Sequence, residues 1–219
     1  MPVKVKICGI TNEADGMAAA EAGADVLGFV FYEPSSRYVS VAAAARIIRA
    51  LPPLTIKAGV FVNAPEELVQ RAIAECGLNL LQFHGEESPE ACLEFGLMSI
   101  KALRIQDRTS LEALALYPTD AWLLDAYSPN QVGGTGEKFN WELAVEARGL
   151  GRPIFLAGGL TPENVADAVR LVRPYAVDVS TGVEKAPGRK DHAKVRAFIQ
   201  AAKSVVSEAG NSPTVPPYR

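Results

Sequence analysis

The stretch VKVKICGIT, residues 3–11, ends a β-rich run on a free thiol, Cys8, directly before a glycine. Such a cysteine is either a small buried hydrophobe or a group that does chemistry as its thiolate. The chain holds three cysteines and two histidines, at spacings that match neither a zinc site nor a disulfide framework, so no metal is expected. Cys76 and Cys92 fall in helical patterns and read as packing. Other polar groups recur at the ends of apolar runs: His84 after LLQF, Asp125 after AWLL, Asp178 and Ser180 within AVDVSTG. Glycines follow two of these runs, Gly158 and Gly159 in FLAGG and Gly182 in DVSTG. Glycine turns let backbone N–H groups approach an anion, which makes both loops candidates for a phosphate.

These residues need elements to hold them, and the chain alternates strand and helix patterns throughout. After the first strand, TNEADGMAAAEAGA offers a capping Thr11 or Asn12 and an alanine-rich helix, and DVLGFVF is the next strand. The pattern continues through IKAGVFV, LLQFHG with a helix begun by Ser88 and Pro89, SIKALRI, AWLLDAY, PIFLAGG with Thr161 and Pro162 opening its helix, and AVDVSTG. Eight strands and eight helices are expected, which predicts an α/β fold: a (β/α)8 TIM barrel over residues 1–206, in a single domain. An open doubly wound sheet is the structural rival. Residues 207–219, polar and proline-rich, read as a disordered C-terminal tail.

Alternation assigns faces to the strands. Lys4, Lys6 and Cys8 share one face, opposite Val5 and Ile7; Gln82 and His84 oppose Leu81 and Phe83; Asp178 and Ser180 oppose Val177 and Val179. The apolar set is expected to meet the helices, leaving the polar set to line the barrel axis. In such barrels the chemistry sits at the carboxyl ends of the strands, where Cys8, His84, Asp125 and Ser180 lie, and phosphates often bind after strands seven and eight. Asp178 is read as adjacent to the site, either binding substrate or holding Lys6 or Arg37, and His84 as either a substrate contact or a hydrogen-bonded structural group. The GGTG run, Gly133–Gly136, is either a flap or a plain link, and it lacks the pattern of a nucleotide loop. His192, at a helix start, is expected to be exposed.

Composition narrows the partners. A net charge of -3, with no long basic run, disfavours nucleic acid. No segment approaches the about 20 apolar residues that span a bilayer, and the first residues lack a secretion signal, so no membrane and a cytoplasmic location are expected. The expected partner is a phosphorylated small molecule, the expected assembly a monomer or homodimer.

The segments VKICGIT, GFVFYEPSSRYVS, GVFVN, LLQFHGEE, LLDAYSPNQVGGTG, LAGGLTPENV and RPYAVDVSTGVEKAPGRKD, in this order, resemble the phosphoribosylanthranilate isomerase family of tryptophan biosynthesis. The resemblance covers the chain to about Val206 and implies a (β/α)8 barrel that performs an Amadori rearrangement without a cofactor. The substrate it implies is N-(5-phosphoribosyl)anthranilate, the product 1-(2-carboxyphenylamino)-1-deoxyribulose 5-phosphate. It further implies Cys8 as general base, Asp125 as general acid, Arg37 as the holder of the anthranilate carboxylate, and Gly158, Gly159, Ser180, Thr181 and Gly182 around the phosphate. Phe83 stands where the family pattern has leucine, on the face turned to the helices.

An acid–base isomerisation then requires a thiol pulled below its ordinary value of about 8.5. Lys6, on the same strand face, or the N-terminus of the following helix is the expected source of that pull, and Gly9 the hinge that leaves room beside the sulfur. Two rival readings are a Schiff-base aldolase using Lys101 and a barrel that binds a sugar phosphate without turnover.

Overall fold

The structure, a computed structural model, describes residues 2–125 and 141–205. The Gly133–Gly136 run and the 207–219 tail lie outside the described residues. Eight parallel strands close into a barrel in chain order: β1 (Lys4–Cys8), β2 (Val26–Val30), β3 (Ile56–Phe61), β4 (Leu80–Phe83), β5 (Met98–Arg104), β6 (Ala121–Asp125), β7 (Ile154–Ala157) and β8 (Ala176–Val179). Closure is made by β1 pairing with β8, with Lys6 in register with Asp178. The helices that cover it are α1 (Glu13–Glu21), α2 (Val41–Ala50), α3 (Glu66–Cys76), α4 (Arg108–Leu114), α5 (Trp141–Arg148), α6 (Val165–Val172) and α7 (His192–Lys203).

The expected eight helices are therefore seven among the described residues. The segment begun by Ser88 and Pro89 forms only a 3-10 turn, Ala91–Leu93. Two constraints shorten it: Glu87 is gripped by Lys101 at one end, and Gly96 turns the chain back at the other with φ +66°. Asn12 rather than Thr11 caps α1, accepting from the Asp15 backbone N–H. Thr161 and Pro162 precede α6 by a turn instead of opening it. A short hairpin missed by the strand reading, β9 (Glu184–Ala186) and β10 (Arg189–Lys190), follows β8.

Two apolar layers stabilise the barrel. Val5, Ile7, Leu27, Phe29, Leu81, Phe83, Leu124 and Val177 face outward and pack against the helices. Phe83 is among them, so its replacement of leucine is taken up in that layer. Val26, Ala58, Leu80, Ile100, Leu123, Phe155 and Ala176 fill the interior. The expectation that polar residues line the axis holds for Lys6, Gln82 and Asp178 and is corrected for the layer of the axis that this apolar set fills. The lower axis is apolar, because an interior closed to water tolerates polar groups only where they are paired. Lys4 at the lower rim pairs with Asp25 instead.

Candidate active site

β1 carries two inward residues of unlike chemistry. Lys6 is fully buried, and its Nζ donates to Asp178 Oδ1 on β8 at 3.0 Å. Cys8, two residues on, is buried against Val30 and Val60. Gly28 on β2 stands in register with Cys8. A Cβ at that position would fall 2.8 Å from the Cys8 Sγ and 3.1 Å from the Lys6 Nζ. Gly28 thus makes room for the sulfur and the ammonium. A glycine inside the VLGFV run is the local sign of such a close approach.

Burial is the largest influence on the Cys8 thiol and pushes it up; Lys6 pulls it down, Asp178 pushes it up again, and the net direction is up. The expected lowering is therefore overturned. Burial outweighs the lysine, and Asp178 works against it as well. Burial also opposes the Lys6 charge, but Asp178 and Cys8 together hold the ammonium above its ordinary range. Replacing Lys6 by methionine leaves Asp178 buried without a counter-charge, and the expected loss is about 3–5 kcal/mol of folding stability. Urea unfolding at neutral pH measures it, and an unchanged midpoint would show that the pair does not hold the barrel.

Arg37 enters the mouth from the connection between β2 and α2. Its Nε and Nη2 donate to the two carboxylate oxygens of Glu184 at 2.8 and 2.7 Å, and Nη2 also donates to Thr181 Oγ1 at 3.1 Å. Asp178 holds Lys6 and not Arg37. Gly9 has φ +78°, and a Cβ there would meet Arg37 Cδ at 2.5 Å and Ser180 Oγ at 3.1 Å. The glycine after the thiol therefore admits the arginine stem, which occupies the room expected for the substrate.

Behind Arg37 lies a residue absent from the expected site. Lys190 is fully buried, and its Nζ donates to Glu184 Oε1 at 3.0 Å, Ser180 O at 3.2 Å and Ser180 Oγ at 3.4 Å. Burial would raise the Glu184 carboxyl, but Arg37 and Lys190 outweigh it and hold the group ionised below its usual range. Burial draws Lys190 below its ordinary range against the pull of Glu184. Three acceptors around one nitrogen match the three N–H donors of an ammonium.

Across the mouth, Asp125 ends β6 with its side chain one-fifth exposed, and His84 Nε2 lies 3.5 Å from its Oδ2. Gln82 Nε2 stands 3.2 Å from His84 Nδ1, a contact that orients the imidazole toward Asp125. Lys101 is 2% exposed and its Nζ donates to Gly85 O at 2.8 Å, to Glu87 O at 3.4 Å and to Glu87 Oε2 at 2.7 Å. Held there, it braces the loop that follows His84 and is not placed to form a Schiff base. His192 is part-exposed and joins α7 to α1 through Asp15 at 2.8 Å.

The two glycine loops sit side by side. Gly158 and Gly159 leave β7 with φ +83° and +65°, and nothing would crowd a Cβ at Gly159. Its left-handed backbone, not space, calls for glycine there. Gly182 lies in the 3-10 turn Thr181–Val183 after β8. A Cβ on it would fall 2.0 Å from Leu160 O, so the loops after β7 and β8 meet at this glycine. Cys8, Arg37, Asp178, Ser180 and Thr181 thus gather on the β1–β8 side of the mouth, His84 and Asp125 on the other.

A parallel eight-stranded barrel with a thiol, a carboxyl group, an arginine and paired glycine loops at its mouth has the architecture of a (β/α)8 enzyme acting on a small phosphorylated anion. The family model described as N-(5'-phosphoribosyl)anthranilate (PRA) isomerase matches residues 5–201. The N-(5'-phosphoribosyl)anthranilate isomerase of Trichlorobacter lovleyi is 54% identical over 204 residues, covering 93% of this chain and all of the relative. The crystal structure of the Thermotoga maritima phosphoribosyl anthranilate isomerase superposes with a TM-score of 0.87 at 44% identity, covering 93% of this chain and 100% of that one. A second solved isomerase, in complex with reduced 1-(o-carboxyphenylamino)-1-deoxyribulose 5-phosphate, does so with a TM-score of 0.84 at 42% identity and the same coverage. The chain belongs to the N-(5'-phosphoribosyl)anthranilate isomerase family.

Proposed function

We propose that this chain isomerises N-(5'-phosphoribosyl)anthranilate in tryptophan biosynthesis, with Cys8 as general base and Asp125 as general acid. The observation that carries the assignment is placement. Both groups end inward-facing strand positions at the carboxyl rim, and β7 and β8 separate their strands on the shorter way round the barrel. The reaction needs groups on two sides of the sugar. Asp125 gives its proton to the furanose oxygen, the ring C1–O bond breaks, and the anilino nitrogen supplies the electron pair that forms the C1–N double bond. The Cys8 thiolate then removes the C2 proton, those electrons form the C1–C2 double bond and neutralise the nitrogen, and the resulting enolamine tautomerises to the ketose.

In this reading the loops of Gly158, Gly159, Ser180, Thr181 and Gly182 receive the phosphate through backbone N–H groups. Arg37 binds the anthranilate carboxylate with the N–H groups that Glu184 and Thr181 leave over, since a guanidinium carries five donors. His84 contacts substrate beside Asp125, and Asp178 keeps Lys6 in register below the thiol. Residues 1–206 form one catalytic domain. The assembly is a monomer or homodimer; one solved Thermotoga maritima relative is described as monomers generated from a dimeric isomerase. Among the described residues no helix is long and apolar enough to cross a membrane, and the cytoplasm is the location we propose.

The carboxylate assignment is tested with Arg37→Met. Following the loss of the substrate's anthranilate fluorescence, KM is expected to rise about ten- to hundredfold, the worth of charge-assisted hydrogen bonds, with kcat changed far less. An unaltered KM would remove Arg37 from the substrate.

A further inference from the structure

Glu184 and Lys190 have no part in the proton transfers, yet among the described residues they are the most deeply buried ion pair touching the mouth, with side chains 4% and 0% exposed. We propose that Lys190 is a specificity-determining positioning residue: its ammonium cancels the Glu184 charge, so that Arg37 meets the substrate as a net cation and the site selects a ring bearing a carboxylate. The inference rests on the reading of Arg37 as the carboxylate holder.

Arg37 alone would be a poor anion receptor. Two of its nitrogens are spent on both oxygens of Glu184, which fixes the guanidinium plane and also neutralises it. A carboxylate arriving at a neutral pair gains geometry but little Coulomb attraction, and it meets the repulsion of the Glu184 charge behind the arginine. Lys190 offsets that repulsion by donating to Glu184 Oε1, the oxygen that also accepts from Arg37 Nε, and a carboxylate oxygen has lone pairs enough for both donors. Two cations around one anion leave one positive charge, and the part of it that reaches the mouth is on Arg37.

The local structure shows why the lysine stays in place. Glu184 and Lys190 are opposite one another across the β9–β10 hairpin, and the Lys190 backbone N–H donates to Asp15 Oδ2 at 2.9 Å. The Nζ also reaches Ser180 O and Oγ, so one ammonium ties the arginine's support to the turn after β8. A purely structural role for Lys190 would act on that turn, and with it on phosphate binding. The charge role proposed acts on the carboxylate. The two are separable.

The test compares two competitive inhibitors: reduced 1-(o-carboxyphenylamino)-1-deoxyribulose 5-phosphate and its phenylamino counterpart lacking the carboxyl. The ratio of their inhibition constants is the carboxylate preference. Lys190→Met is expected to cut this ratio about tenfold while the carboxyl-free compound binds as before, the effect of one charge acting at close range in a partly dry site. If Lys190→Met does not fold, the same comparison is made between Glu184→Gln and Glu184→Gln/Lys190→Met, which lack an unpaired buried carboxylate. Removing the lysine charge is expected to lower the ratio there too. A ratio that stays constant, or binding of both compounds that falls equally, overturns the inference. Arg37→Met separates the two claims. If it leaves the ratio at the wild-type value, the reading of Arg37 fails; if it abolishes the ratio while removal of Lys190 does not, the role of Lys190 alone fails.

Discussion

Cys8→Ala is expected to lower kcat by about 10²–10⁴-fold with the barrel intact, the loss typical of removing a positioned general base. The side chain removed is small and packs only with Val30 and Val60 in its cluster, so the effect falls on chemistry and not on folding. The pH dependence identifies the group further. Burial and Asp178 push this thiol up while Lys6 pulls it down, so in the free enzyme kcat/KM is expected to climb as pH rises above neutrality and more thiolate forms. Asp178→Asn removes one of the raising influences and leaves Lys6 facing the sulfur. The alkaline limb, and the pH profile of Cys8 alkylation by iodoacetamide, are expected to move together to lower pH. A Cys8→Ala enzyme with wild-type kcat, or a limb indifferent to Asp178, would take the base assignment away from this residue.

Asp125→Asn is the second large effect, again about 10²–10⁴-fold in kcat, because the amide keeps the shape of the carboxyl group but has no acidic proton to give the ring oxygen. KM is expected to stay within a few-fold, as the residue is asked to act in the transition state and not to anchor the ground state. His84→Asn is the control. Its Nε2 is 3.5 Å from Asp125, too long for a strong hydrogen bond, so its removal is expected to cost much less than that of Asp125. Steady-state kinetics at several pH values distinguish them, and equal losses would mean that the histidine carries the proton.

Much of this was legible in the chain because period-two alternation needs no knowledge of neighbours. Lys6, Cys8, Gln82, Asp178 and Ser180 share the inward side that the sequence pattern gave them, and the glycines after β7 and β8 stand where a barrel would use them. What escaped depended on partners brought in from far along the chain. Arg37 is held by Glu184 from 147 positions away, and no local pattern shows that pairing. The hairpin had a local sign, the proline–glycine turn Pro187–Gly188 between Ala186 and Arg189, but its strands are only three and two residues long and fall below the length that periodicity resolves. The direction of the Cys8 shift escaped for another reason. Alternation finds that a lysine neighbours a thiol; it does not weigh burial or the aspartate that reaches the lysine first.

The pairing of β1 with β8 bears on how the enzyme comes into being during translation. Cys8 and Arg37 are synthesised within the first fifth of the chain, whereas Asp178, Glu184 and Lys190 emerge near its end. Until then the thiol has its lysine without the aspartate, and the arginine has no carboxylate to hold it. A half-barrel released early, or made from a split gene, therefore carries the nucleophilic sulfur but not the surroundings that restrain it. Restoring the missing half as a separate polypeptide would have to rebuild the β1–β8 seam before any turnover returned.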